Sequence, residues 1–273
     1  MVERRLQQFK RTVRDFYRKN GRHDLPWRTT RDPYNIMVSE VMLQQTQVSR
    51  VIEKYKEFLK RFPTVRALAR APLPRVMSVW SGLGYNRRAK YLKEMARRIV
   101  VEHKGAFPKD SKSLTALPGV GLYTARAVAA FAYNVPDVFI ETNIRTVFIR
   151  HFFPRTTNVS DKHIAALVEQ TLDRKNPRIW YWALMDYGAF LKQTKHDRSH
   201  RRSAHYKKQP PFDGSVRKAR GAILRMLLSG EHSQADLAKK GHLDNASLPR
   251  ILTTMVKEGL IEKNRNRYKI QEL

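Results

Sequence analysis

Between Ser113 and Ala130 the chain reads Ser-Leu-Thr-Ala-Leu-Pro-Gly-Val-Gly-Leu-Tyr-Thr-Ala-Arg-Ala-Val-Ala-Ala, and this stretch limits the fold more than any other. Apolar residues recur at helical spacing on both sides of Pro118, Gly119 and Gly121, which predicts a short helix, a tight turn and a second helix. Gly119 and Gly121 can take positive φ and admit a close backbone, so that amides opening the second helix face a phosphate oxygen with the helix dipole behind them. A hairpin of this kind grips nucleic-acid backbone without reading sequence. The same residues also fit an ordinary turn between two core helices.

Helical patterns dominate elsewhere. Residues 1 to 20 place Leu6, Phe9, Val13, Phe16 and Tyr17 on one face of an amphipathic helix that ends at Asn20-Gly21. Further helices are predicted at Ile36 to Arg50, Val51 to Arg61, Val65 to Ala71, Leu73 to Ser81 and Arg87 to His103, and after the hairpin at Ile144 to Phe153, Asp161 to Leu172 and Arg178 to Leu191. Strand signals are few, so the body is all-α. Residues 213–273 differ: three helical patterns precede Leu260-Ile261-Glu262-Lys263 and Tyr268-Lys269-Ile270, the pattern of a winged helix.

Charge narrows the partner. The 273 residues carry 54 Lys plus Arg against 24 acidic residues, a formal net charge of +30 spread along the whole length. A polyanion is the simplest partner for that field, and nucleic acid comes before an anionic membrane surface because no apolar run approaches the ~18 residues of a spanning helix. The opening residues do not read as a secretory signal. Without cysteine the chain can form neither a disulfide nor a thiolate-ligated zinc or iron–sulfur centre. His196, His200 and His205 lie in the basic stretch from Lys192 to Gln209, where solvated or phosphate-facing histidines are expected rather than metal ligands.

Two carboxylates could carry chemistry. Glu40 sits on a predicted helix beside Val41, Met42 and Leu43, so partial burial would raise its pKa and let it hold a proton at neutral pH; pairing with an arginine is the alternative. Glu141 follows Val138-Phe139-Ile140 and opens a helix, where it could equally be a cap. Two carboxylates in different surroundings can divide the breaking of a glycosidic bond, one giving a proton and the other stabilising an oxocarbenium ion.

Leu25-Pro26-Trp27-Arg28, Pro33-Tyr34, Ser39-Glu40-Val41-Met42-Leu43-Gln44-Gln45-Thr46-Gln47-Val48, Gly82-Leu83-Gly84-Tyr85 and Leu117-Pro118-Gly119-Val120-Gly121 resemble the MutY-type adenine DNA glycosylases of the helix-hairpin-helix superfamily, in order over roughly residues 1–191. The resemblance implies a two-lobed body, with a six-helix lobe at about 22–133 and a second lobe from 1–21 plus 134–191, then a basic segment at 192–212 and the winged helix at 213–273. It makes Glu40 the acid that protonates the leaving purine. Gln45 and Tyr85 match residues that wedge into the duplex, and Trp27, Arg28 and Leu43 match the base pocket, which Tyr123 and Trp182 join by position. Tyr123 stands where bifunctional relatives carry a Schiff-base lysine, so a monofunctional enzyme without lyase activity is implied.

The chain departs from that family pattern at four places. The essential aspartate falls at Glu141, one methylene longer. Trp182 replaces an amide or acid that contacts adenine, and it can stack on a base without making those hydrogen bonds. The four-cysteine iron–sulfur loop is absent, so no cofactor is expected, and Arg198, Arg201, Arg202 and Lys207 stand in its place as DNA-facing charge. The winged helix replaces the usual 8-oxoguanine-sensing domain. The resemblance thus implies a monomeric, cytoplasmic, nucleoid-associated repair enzyme acting on double-stranded DNA with a mispaired base, most readily adenine. Thymine or uracil opposite guanine, and a non-catalytic DNA-binding protein, are the alternatives.

Overall fold

A computed structural model describes residues 2–194, 197–207 and 214–272. The helices in chain order are α1 (Val2–Asn20), α2 (Pro33–Leu43), α3 (Val48–Arg61), α4 (Val65–Arg70), α5 (Leu73–Trp80), α6 (Arg87–Glu102), α7 (Ser111–Thr115), α8 (Leu122–Tyr133), α9 (Thr142–Phe152), α10 (Asp161–Thr171) and α11 (Pro177–Gln193). The C-terminal module follows as α12 (Val216–Leu227), β1 (His232–Ser233), α13 (Gln234–Gly241), α14 (Leu248–Lys257), β2 (Ile261–Asn264) and β3 (Arg267–Ile270). No helix among the described residues is long and apolar enough to cross a membrane. Lys195, His196 and 208–212 of the basic segment, with residue 213, lie outside the described residues.

The chain divides into two compact units, one of residues 1–37, 108–116 and 120–208, the other of 38–107, 117–119 and 209–273. In the first, α9 and α11 pack face to face and α1 lies along α11. Their shared core is aromatic: Phe9 meets Phe148 and Phe152, each at a centroid distance of 5.0 Å, and Trp180 at 6.1 Å. Such rings bury large apolar area for few frozen torsions. Gly188 on α11 makes the α9 contact possible, because a Cβ there would come within 2.2 Å of the Asn143 carbonyl oxygen.

In the second unit α6 packs on α4 and α5 around Phe58, Leu68, Trp80, Leu92 and Met95, all buried. The winged-helix module has its own core of Ile223, Leu237, Leu252, Met255 and Ile270. Its sheet is three-stranded in the order β1-β3-β2, both pairings antiparallel. The hairpin β2–β3 is the expected wing. The two-residue β1 is an addition, too short for any alternation to register in the sequence.

The expected helix boundary at Arg50 and Val51 moves forward. Helix α2 opens at Pro33, with the Asp32 carboxylate accepting from the amides of Tyr34 (2.7 Å) and Asn35 (3.2 Å), and it closes at Leu43. Residues 44–47 form a turn in which Gln45 has φ 54°. Apolar periodicity runs through this break, so the sequence alone carries the helix that opens at Ile36 on to Arg50.

Candidate functional site

The hairpin forms as expected, with α7 and α8 packed together around the turn. Its two glycines work differently. Gly119 takes φ 72°, and a Cβ there would lie 2.4 Å from the Tyr91 Cβ, so this position is closed to any side chain. Gly121 corrects the expectation of a second positive φ: at φ −80°, ψ 168° it is the N-cap of α8 in ordinary extended conformation. As a glycine it offers no side chain to cap the helix, and nothing lies within 4 Å of where a Cβ would be.

Glu40 is 6% exposed on α2, next to Ser39 at 1%. Leu43, half-buried, ends the same helix, and exposed Gln45 follows it in the turn. Tyr85 matches Gln45 in backbone: it has φ 47°, after Gly82 at 93° and Gly84 at 71°. Left-handed non-glycine residues are costly and persist only where their surroundings impose them.

Arg88, which nothing in the sequence singled out, supplies that constraint. Its Nη1 donates to the carbonyls of Val41 (2.7 Å), Met42 (3.0 Å) and Gln44 (2.7 Å). Its Nη2 donates to Thr46 Oγ1 (3.1 Å) and to the carbonyls of Leu83 (3.3 Å) and Gly84 (3.0 Å). One guanidinium therefore ties the end of α2, the 44–47 turn and the 82–85 loop together. Burial among neutral acceptors lowers its pKa to about 10, against a small upward pull from Tyr85.

In the other unit the segment before Glu141 is pinned. Tyr181 Oη donates to the Asp137 carbonyl (2.7 Å) and accepts from the Phe139 amide (3.3 Å), its ring stacking on Phe139 at 3.8 Å. Arg126 donates to the Val138 carbonyl at 2.7 Å. Glu141 is the N-cap of α9, with Oε1 accepting from the amides of Asn143 (2.7 Å) and Ile144 (2.8 Å) and Oε2 accepting from Asn143 Nδ2 (3.2 Å). Lys192 in turn donates to Asn143 Oδ1 at 3.0 Å. Burial pushes the Glu141 carboxyl above the ordinary glutamate value, while the two amides, Lys192 and Arg145 pull it down. The Glu141 side chain folds back onto the helix start.

Tyr123, half-buried, sets its ring edge against Phe139 at 5.7 Å. Trp27 is 6% and Trp182 7% exposed. Trp182 tilts on Phe131 at 5.8 Å and receives the Arg28 guanidinium at 5.3 Å. Arg28 itself is held by Asp186, donating to Oδ2 at 2.7 Å and Oδ1 at 2.8 Å, and Arg22 donates to the same carboxylate. Arg28 and Trp182 thus come together in a buried stack anchored on Asp186, a residue that sequence reasoning left unassigned. Burial drives the Asp186 carboxyl upward, but the bonds and charge of Arg28 and Arg22 outweigh it and hold the pKa below the aspartate value.

The basic segment after α11 is built into the first unit. Ser199–Arg202 form a 3-10 turn against α9, Val159 and Ser203 make a parallel bridge, and Arg150 pairs with Asp197 at 3.0 Å. Arg202 turns inward, donating to the Phe153 carbonyl and to Ser199 Oγ. Arg198, Arg201 and Lys207 are exposed. His205 lies 3.6 Å from Asp161 and His200 packs against Tyr206.

Comparison with known proteins first fixes the class. Residues 38–173 match the family model of HhH-GPD superfamily base excision DNA repair proteins, and residues 220–267 match the MarR family. Among solved structures, a thermostable thymine-DNA glycosylase superposes with a TM-score of 0.65 at 28% identity, covering 72% of this chain and 91% of that one. A trapped endonuclease III–DNA covalent intermediate, at 19% identity and a TM-score of 0.60 over 71% and 90% of the two chains, has the same fold.

The chain belongs to the adenine DNA glycosylase family: it is 34% identical over 273 residues to the adenine DNA glycosylase of Mycobacterium tuberculosis strain H37Rv, covering 91% of this chain and 88% of that protein. The Mycolicibacterium smegmatis enzyme is 35% identical over 266 residues, 89% of each chain. The relative from Buchnera aphidicola subsp. Baizongia pistaciae is 36% identical over 187 residues, 67% of this chain and 52% of that one. The chain therefore spans about half the length of that Buchnera relative.

Proposed function

We propose that this protein is a monofunctional DNA N-glycosylase that removes adenine mispaired with 8-oxoguanine or guanine from double-stranded DNA. Gln45 and Tyr85 enter the duplex as the target nucleotide leaves the stack. Glu40, buried on α2, gives its proton to the departing purine as the N-glycosidic bond breaks and positive charge builds on the sugar. Glu141 supplies a carboxylate that stabilises that charge, water adds to the anomeric carbon and loses a proton, and an abasic site remains. Tyr123 has no amine, so no Schiff base forms and the strand is not cut. Such an enzyme works as a monomer in the cytoplasm at the nucleoid.

The seat of Glu141 carries this reading. A carboxylate gripped by two amides at a helix start is fixed in position, and its ionised form can stabilise an oxocarbenium-like transition state without reorganising. Labelled duplexes holding A opposite 8-oxoguanine, A opposite G, T opposite G or U opposite G, treated with alkali after incubation, test it. Strand breaks are expected with the adenine duplexes, and Glu40→Gln should lower them by about 10²–10⁴-fold while duplex binding persists. Release confined to T or U opposite G would favour the second reading, which rests on the likeness to the thymine-DNA glycosylase. No release from any duplex, or equal release by Glu40→Gln, would remove the glycosylase assignment or the acid role respectively.

A further inference from the structure

The winged-helix module is fastened beside the 82–85 loop. Glu258, at the end of α14, accepts from Arg220 of α12 through its carboxylate, which also lies 3.6 Å from Arg87 of α6. The Glu258 carbonyl accepts from Lys90 Nζ at 2.8 Å. Gly259 lets this happen, since at φ 64° a Cβ would come within 2.7 Å of that Nζ. The clasp therefore joins α12 and α14 to the first turn of α6, the helix that begins two residues after Tyr85.

From this clasp one side chain reaches the loop. Arg217, on the first turn of α12, donates from Nη1 to Tyr85 Oη at 2.9 Å, its Cζ 5.5 Å from the ring centroid. Arg88 stands at the same distance, 5.5 Å, and bonds the loop carbonyls. Tyr85 is thus held at both ends, its left-handed backbone by Arg88 and its phenol oxygen by Arg217. A half-buried tyrosine on a glycine-flanked loop otherwise has several rotamers to choose from.

We propose that Arg217 is a positioning residue for the Tyr85 wedge, so that the C-terminal module sets the aim of the side chain that enters DNA. The proposal rests on the reading of Tyr85 as a wedge, and it gives the winged helix a task inside the glycosylase reaction that needs no base contact of its own. Losing a hydrogen bond of this kind shifts an equilibrium by about two- to tenfold, enough to decide which rotamer Tyr85 presents.

The test uses the full chain and a duplex with 2-aminopurine opposite guanine, whose fluorescence rises on unstacking. Arg217→Ala and Tyr85→Phe are each expected to slow the fluorescence rise by about two- to tenfold. The double variant should be no slower than the worse single one, and Arg217→Lys, which can still donate to the phenol, should recover part of the loss. Affinity for undamaged duplex and its salt dependence should not move in Arg217→Ala. An additive double variant, an unchanged rate in Arg217→Ala, or a flattened salt dependence that marks a phosphate contact would each overturn the proposal. Tyr85→Ala at the parental rate would instead overturn the wedge reading itself, whatever Arg217→Ala does.

Discussion

Two carboxylates of the same unit, Glu141 and Asp186, have opposite fates. Asp186, with its side chain 2% exposed, meets two arginines and is held below the usual aspartate range. Glu141 meets backbone amides, has its lysine one residue removed on Asn143, and is pushed above the usual glutamate range. The charge of Asp186 is neutralised by the guanidinium groups around it, whereas the amides hold Glu141 in place without neutralising it. Environments that drive two carboxylates apart are how a single fold separates structural from chemical roles.

The sharpest way to break this comparison is Glu141→Ala. Base release should fall to near zero while stability changes by no more than about 1 kcal/mol, because the lost cap is offset by relief of a buried charge; Glu141→Asp should keep or raise activity. Single-turnover rates beside thermal melts read both quantities, and parental turnover by Glu141→Ala would reduce Glu141 to a cap. Asp186→Asn should do the reverse. Leaving Arg28 without its carboxylate should cost about 3–5 kcal/mol, lowering Tm by about 2–4 °C for each of those kcal/mol, with the rate per folded molecule much less affected.

Acid should separate the pair by sign. Asp186 titrates lower in the folded chain than unfolded, so its stabilisation is complete above the ordinary aspartate range and is lost as pH falls through its depressed value. Glu141 titrates higher when folded, so its ionised form lowers stability above the ordinary glutamate range, and acid relieves that cost. In the role proposed for Glu141, activity needs that ionised form. The acid limb of the rate profile should therefore lie above the ordinary glutamate pKa, at a pH where melts show the fold still intact. A limb at or below that pKa would contradict the assignment.

Gly188→Ala perturbs the seat of Glu141 without touching it. The added methyl meets the Asn143 backbone, and relief by shifting α9 should cost about 1–3 kcal/mol and weaken base release. The smallest effect belongs to the basic segment. Replacing Arg198, Arg201 and Lys207 by Ala should weaken binding to all duplexes alike, reducing the salt slope by up to about 0.9 for each phosphate no longer neutralised. Arg202→Ala should lower stability instead, because its bonds go to Phe153 and Ser199; titrations at several salt concentrations separate the two.

Much of this was legible in the sequence where the signal is local. The Leu117–Gly121 turn, the spans of the long helices and the wing all rest on periodicity and on glycine and proline placement. Glu40 on an apolar helix and Glu141 at a helix start could be read the same way. What escaped was set by partners far along the chain. The break after Leu43 depends on Arg88 collecting carbonyls 44 to 47 residues away. The burial of Arg28 depends on Asp186, 158 residues distant. The inward turn of Arg202 depends on a carbonyl that only the packing of α9 supplies. Charged residues in a chain of net charge +30 look alike until their acceptors are known.

Arg88 also bears on the thermodynamics of meeting DNA. Because one guanidinium holds both the 44–47 turn and the 82–85 loop, Gln45 and Tyr85 cannot be ordered or released independently. The conformational entropy of two loops is surrendered together, when the chain folds, instead of being charged against each encounter with a duplex. For the mispair search proposed above, which samples many sites and rejects nearly all of them, a penalty removed from every trial encounter matters more than one removed from the final complex.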